Sequence, residues 1–375
     1  MSTNPRARAW VEVETSALLQ NAATLEASIG PASRLIPMVK ANAYGLGVAG
    51  AVRALQRRDP WGFGVATLSE GLELLDLGVE RPILVASPLP PGSVDAAVEA
   101  GLHLGVSNLD GLGAAEAAGS RLGRAPSIHL EIDTGIGRAG FDWARAAEWG
   151  PKLATAVDNG VRWVGTYTHF HSADENITSV REQWSRFQEV IAALGAPEDG
   201  LVHAVNSAAA LRAPELGASA ARTGIFLFGG SAGKGLPAPQ PVVSVRARVV
   251  HLRTAETGVS LGYGATHRAK GDESWATLAI GYGDGLPRAL GNRGSALIDG
   301  HRVPIIGRIS MDVTVVDISH GPNVSVGDVA TLIGSDGDHQ ITVDDVAEQA
   351  GTISYEVLTG LTQRLPRIWT DLDGL

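Results

Sequence analysis

From residue 14 to residue 235 the chain repeats one unit, a short apolar run followed by a segment with apolar residues at helical spacing. The eight runs are Leu35–Val39, Gly62–Ala66, Ile83–Ala86, Leu102–Val106, Ser127–Ile132, Arg162–Thr168, Val202–Val205 and Ala221–Phe226. They lack polar alternation, as parallel strands covered on both faces do. The intervening helices read most directly at Val180, Trp184, Phe187, Ile191 and Leu194, which share one face before Gly195 stops the helix. Eight such units between residues 14 and 235 predict a closed (β/α)8 barrel, a fold of about 250 residues. A doubly wound open sheet is the competing arrangement.

Beyond Gly235-Leu236-Pro237-Ala238-Pro239 the texture changes to alternating, β-branched segments such as VVSVRARVVHLR, SALIDGHRVPIIG and DVATLIG. Alternation predicts antiparallel strands with one wet face. The expected organisation is therefore an α/β barrel over 14–235 and a mainly antiparallel β domain over 236–375. No long linker separates them, so a packed interface is expected, and the opening strand 9–13 can pair with either part.

Composition narrows the chemistry. The 375 residues include no cysteine, which excludes disulfide scaffolds, thiolate metal clusters and cysteine nucleophiles. A net charge of −10 argues against nucleic-acid and anionic-membrane partners. The first residues, MSTNPRARAWVEVE, hold no apolar leader core, and no run of about 20 apolar residues suggests a membrane span, so the expected compartment is the cytoplasm. Lysine is scarce, with four (Lys40, Lys152, Lys234 and Lys270) against 26 arginines.

In a (β/α)8 barrel the working groups sit at the C-terminal ends of the strands. There the sequence places Lys40 in VKANAYGLG, Arg138 in EIDTGIGRAG, His169 in YTHFHSADE, Ser207 in VNSAA, and Arg222, Gly224 and Ile225 in ARTGIF. A lysine just after an apolar strand either snorkels outward or is a desolvated amine suited to Schiff-base chemistry. His169 and His171 lack the partners of a metal pair, so no metal is expected, and the DGDH run at 336–339 reads as a turn. GIFLFGGSAG is not a dinucleotide loop opening a βαβ unit.

The chain resembles the alanine racemase family, fold-type III enzymes dependent on pyridoxal 5′-phosphate. The resemblance rests on VKANAYGLG, DTGIGRAGF, YTHF, NSAA, RTGI, LGYGATHRA, IGYGDGLPR, PIIGRISMD, GTISYEVL and RLPR, in order along nearly the whole chain. It implies that Lys40 carries the cofactor and acts as one catalytic base, with Tyr263 from the other subunit of a homodimer as the second. Tyr44, Ser207, Gly224, Ile225 and Tyr355 match phosphate-holding positions, with Asn206 beside them. Arg222 matches the arginine facing the pyridine nitrogen, and His169 the residue contacting it beneath the ring. Arg138 and the backbone of Met311 match groups near the substrate carboxylate, Asp312 is a supporting position, and Tyr282, Arg308, Asp174 and Ile353 match the substrate corridor.

One departure stands out. Glu131 occupies the position where many members carry a carbamylated lysine, and it is expected to orient Arg138 by a charge-assisted bond. Ser310 and Leu286 replace a common cysteine and tyrosine. The implied activity is interconversion of L- and D-alanine by two bases, supplying D-alanine for peptidoglycan, with action on serine also open. A related decarboxylase would need a cysteine motif that is missing, and a single-domain PLP-binding regulator would lack the β domain.

Overall fold

The computed structural model describes residues 7–197, 200–216 and 218–372; the last three residues of the expected β-rich segment therefore lie outside the described residues. Eight short parallel strands form a ring: Arg34–Pro37, Phe63–Val65, Ile83–Val85, His103–Val106, Ser127–Asp133, Arg162–Tyr167, Leu201–His203 and Ala220–Thr223. Neighbours from Phe63–Val65 round to Leu201–His203 pair in sequence order. The last strand pairs with the first, and the remaining gaps are bridged by Met38 to Gly64 and by Arg222 N–H to Val205 O at 3.0 Å. The closed barrel predicted from the apolar runs is the observed fold, and the open-sheet alternative is not.

Local chemistry explains the crossover helices. Ile177–Leu194 starts where the Asn176 side chain accepts the Ser179 N–H and ends at Gly195 with φ 82°. Leu68–Asp76 opens with a reciprocal capping box between Thr67 and Glu70. After the eighth strand the chain leaves the barrel, and the early helix Thr15–Ile29 packs beside the short helix Ser207–Arg212, with Ser28 Oγ donating to Ala210 O at 2.7 Å.

The second part is a curled nine-stranded sheet whose long strand, Val243–Ala255, alternates buried and half-buried residues through its first half. That strand pairs with Glu273–Leu278 along one stretch and with Val329–Asp336 along another, so the sheet closes on itself. The opening strand Ala9–Glu14 joins this sheet rather than the barrel, antiparallel to Val243–Ala255 and parallel to Arg367–Thr370. No helix among the described residues is long and apolar enough to cross a membrane.

The two parts are packed together. Trp369 on the final strand lies over Gly50 of the helix Val48–Leu55, where an added Cβ would fall 2.2 Å from the indole. Gly50→Ala is therefore expected to cost about 1–3 kcal/mol by overpacking, measured as a lower urea midpoint at unchanged m-value.

Candidate active site

Lys40 follows the first barrel strand, and the four residues after it do something L-amino acids rarely do. Ala41, Asn42, Ala43 and Tyr44 have φ of 52°, 56°, 52° and 54°, a full left-handed turn. Each such residue costs roughly 1–2 kcal/mol, so the turn must be held from outside. The Glu70 carboxylate accepts the Ala41 N–H at 2.7 Å, and Asn42 Oδ1 accepts the Val48 N–H at 2.8 Å. Arg367, from the final strand, donates to Gly45 O through Nε at 3.0 Å and Nη2 at 2.7 Å. Gly45 itself admits no side chain, since a Cβ there would lie 2.2 Å from Leu358 O.

The turn delivers Lys40 and Tyr44 to one cavity of about 890 Å³ at the C-terminal mouth of the barrel. Glu131, Arg138, His169, Asn206 and Ser207 line it, as do Arg222, Gly224, Ile225 and Tyr355. From the matched corridor positions Asp174 and Ile353 also reach it. Tyr263, Met311, Asp312, Tyr282 and Arg308 do not. They lie on the β-rich part, where Tyr263 is 69% and Met311 52% exposed and Asp312 pairs with Arg364 at 2.5 Å.

At one end of the cavity is a cradle of neutral donors. Ser207 Oγ accepts the Gly224 N–H at 2.9 Å, and a Cβ on Gly224 would fall 2.1 Å from Tyr44 Oη. Tyr44 stacks on Phe228 at 4.9 Å. Burial raises the Tyr44 hydroxyl pKa well above its ordinary value, and it pushes Tyr355 up to about 12, so both remain protonated donors.

Beside the cradle stand three cations, Lys40, Arg138 and Arg222, while Glu131, Asp174, Asp344 and Glu348 also line the cavity. Arg222, buried, donates through Nη1 to His203 Nδ1 and His203 O at 2.8 Å each, and through Nη2 to Thr168 O at 2.6 Å. Of its five N–H groups, those not bound this way find no acceptor among the described residues. Its guanidinium lies 4.8 Å from the Tyr167 ring centroid, and burial lowers its pKa to about 10. Burial, with Arg222, Arg138 and Lys40 nearby, drops His169 to about 3, leaving it a neutral imidazole. Lys40 is lowered too, first by burial and then by Arg138. A cradle with no room for a Cβ, neutral hydroxyl donors and three cations suits a phosphorylated, carboxylate-bearing ligand.

Glu131 is buried and takes a hydrogen bond from Ser107 Oγ at 2.6 Å. The direct bond expected between Glu131 and Arg138 is not formed among the described residues. The carboxylate points into the barrel beside Tyr167, whereas Arg138 sits exposed on the loop beyond the strand. Several contributors went unread in the sequence: Glu70, Tyr167, His203, and Asp344, whose carboxylate joins Ser354 Oγ and the Ser231 N–H. The usable signal for His203 was a histidine inside an apolar run. No group of three or more His, Asp or Glu among the described residues is placed to hold a metal.

Two outcomes are expected. In cofactor-free protein, amine-reactive labelling should modify Lys40 at lower pH than Lys152, Lys234 or Lys270, because burial favours its neutral form; peptide mapping over a pH series checks this. Ala41→Gly should stabilise the fold by up to about 1 kcal/mol, strain relief exceeding the added chain entropy, while Ala41→Val should destabilise it by more than that; thermal midpoints decide.

Comparison with known proteins accords with this geometry. A family model described as alanine racemase, N-terminal domain, matches residues 13–232, and one described as alanine racemase, C-terminal domain, matches residues 242–369. The alanine racemase of Symbiobacterium thermophilum is 36% identical over 367 residues, covering 96% of each chain. That of Cutibacterium acnes is also 36% identical, over 95% of this chain and 96% of its own. Among solved structures, alanine racemase from D-cycloserine producing Streptomyces lavendulae superposes with a TM-score of 0.91 at 32% identity and 98% coverage of both chains. The enzyme of Streptomyces coelicolor A3(2) gives 0.92 at 30% identity, covering 99% of this chain and all of its own. On the fold, the full-length match and the residues gathered at the barrel mouth, this chain belongs to the alanine racemase family.

Proposed function

We propose that this protein is an alanine racemase that interconverts L- and D-alanine, with pyridoxal 5′-phosphate held in the barrel-mouth cavity and a second copy of the chain completing each site. The supporting observation is the convergence of Lys40, Arg222 and the Tyr44–Ser207–Gly224–Tyr355 cradle on one cavity. Tyr44, Ser207, Tyr355 and the backbone of Gly224 and Ile225 would hold the phosphate, Lys40 the carbonyl carbon, and Arg222 the ring nitrogen, with His169 and Asn206 beside them. When bound, the group supplies a conjugated ring that takes up electron density as the substrate's Cα–H bond breaks.

The chain's own residues carry the rest. Inverting Cα needs a proton taken on one face and returned on the other. Lys40 takes the first role, its amine available at lower pH than an ordinary lysine because burial disfavours the ammonium. Tyr263 takes the second, supplied by the partner subunit; in its own chain it stands outside the cavity and is 69% exposed. Arg138, with the backbone of Met311 from the partner subunit, receives the substrate carboxylate, and Asp312 stands beside Met311 as a supporting residue. Arg222 cannot give up a proton at working pH, so toward the ring nitrogen it would act as a hydrogen-bond donor and not as an acid. Such a donor would keep the ring's electron withdrawal moderate, which favours return of the proton over side reactions.

We further read the chain as a barrel over 14–235 and a β domain over 236–375 joined by the strand at 9–13, working in the cytoplasm. The product would feed peptidoglycan synthesis.

Subunit mixing tests the shared site. Lys40→Ala and Tyr263→Phe should each abolish D-alanine formation from L-alanine. An equal mixture, after subunit exchange, should recover roughly a quarter of wild-type activity, because each mixed dimer holds one intact site. A mixture as inactive as its parents rules out sharing in trans, and an active Lys40→Ala protein rules out the assigned base.

A further inference from the structure

Three histidines that the proposed chemistry does not use stand in a row inside the barrel. His203 Nε2 lies 2.9 Å from His129 Nδ1, and His129 Nε2 lies 3.1 Å from His103 Nδ1. They come from the seventh, fifth and fourth strands, and the row runs from Arg222 at the active mouth down to His103 at the opposite end. His129 and His203 are fully buried. The intervening sixth strand makes way for them with Gly165, where a Cβ would fall 2.0 Å from His129 Nδ1. Trp61 meets the His103 and His129 rings edge-on at 5.5 and 5.6 Å, and Tyr167 stacks on His203 at 5.1 Å.

The protons in this row follow from one fact, that a guanidinium only donates. Arg222 Nη1 meets His203 Nδ1 at 2.8 Å, so that nitrogen carries no proton and the proton of His203 sits on Nε2. His129 Nδ1 must then accept, which puts the His129 proton on Nε2. His103 Nδ1 accepts in turn. A second proton on any ring would set two N–H groups against each other across a gap near 3 Å. All three imidazoles are neutral, in agreement with their burial beside Arg222 and Arg162, which lowers each of them, His103 to about 4.

We propose that His203, His129 and His103 form one hydrogen-bonded column of enforced tautomer that positions Arg222, so that His103, at the far mouth of the barrel, is a positioning residue for the active site. Every N–H in the column points away from Arg222, and each bond polarises the next. The end presented to the guanidinium is therefore a strengthened lone pair, which fixes the plane of Arg222 and aims its remaining N–H groups at the cavity. The proposal rests on the functional reading above only for what those groups touch.

The first test uses cofactor-free protein carrying ¹⁵N-labelled histidine. Expected for His203, His129 and His103 are a pyridine-type Nδ1 and a pyrrole-type Nε2, unchanged across neutral pH. A proton on Nδ1 of His203 or His129, or titration of either near neutrality, overturns the column. The second test compares His103→Leu, which removes the acceptor for His129 Nε2–H, with His103→Gln, which keeps a carbonyl acceptor. His103→Leu should lower kcat roughly tenfold with KM within about twofold, and should shift the absorption maximum of the bound cofactor. His103→Gln should restore both. If Leu is tolerated as well as Gln, or both fail alike, His103 only packs. A wild-type protein that keeps these tautomers but binds no pyridoxal phosphate would sink the function proposed above and leave the column standing.

Discussion

Everything at the barrel mouth depends on a stretch of backbone with the wrong hand. A right-handed turn after Lys40 would carry Tyr44 elsewhere; the left-handed one brings both side chains to the same cavity. L-residues adopt that turn only when their surroundings over-determine it. Here the surroundings come from three parts of the chain: Glu70 on the helix after the second barrel strand, Asn42 within the turn, and Arg367 and Leu358 from the C-terminal part. Lys40 is thus placed by the C-terminal part as much as by the barrel strand it follows.

Charge at the site is arranged by burial more than by pairing. Lys40 and Arg222 are destabilised as cations and His169 is held neutral, while Tyr44 and Tyr355 are kept protonated. Glu131 is the carboxylate buried against this cluster. Its inner donors, the Tyr44 and Tyr355 hydroxyls with Arg222 and Lys40, are oriented before binding, which preorganises that end of the cavity for an anionic ligand.

Much of this was legible in the residues. The eight runs show because strands covered on both faces cannot alternate, and Val243–Ala255 shows because a half-wet strand must. Lys40, Arg222 and Ser207 show because reactive groups directly follow apolar runs. What stayed hidden was non-local. Nothing in VKANAYGLG announces four positive φ angles on non-glycine residues, since much of their support lies outside it, at Glu70 and, more than three hundred residues away, at Arg367. Glu131 reads as a neighbour of Arg138 along the chain, and both line the cavity, yet Ser107 takes the carboxylate instead. The histidine row needs three strands in register before it exists at all.

The placement of the first strand bears on how the molecule is made. Ala9–Glu14 is wedged between Val243–Ala255 and Arg367–Thr370, so its pairing is complete only once a strand more than three hundred residues further along has been made. Until then one edge of the N-terminal strand stays open, and the left-handed turn lacks Arg367. Pairings between the ends of a chain close large loops and come late in folding. Placement of Lys40 is accordingly a late event of folding, completed when residues from opposite parts of the chain meet.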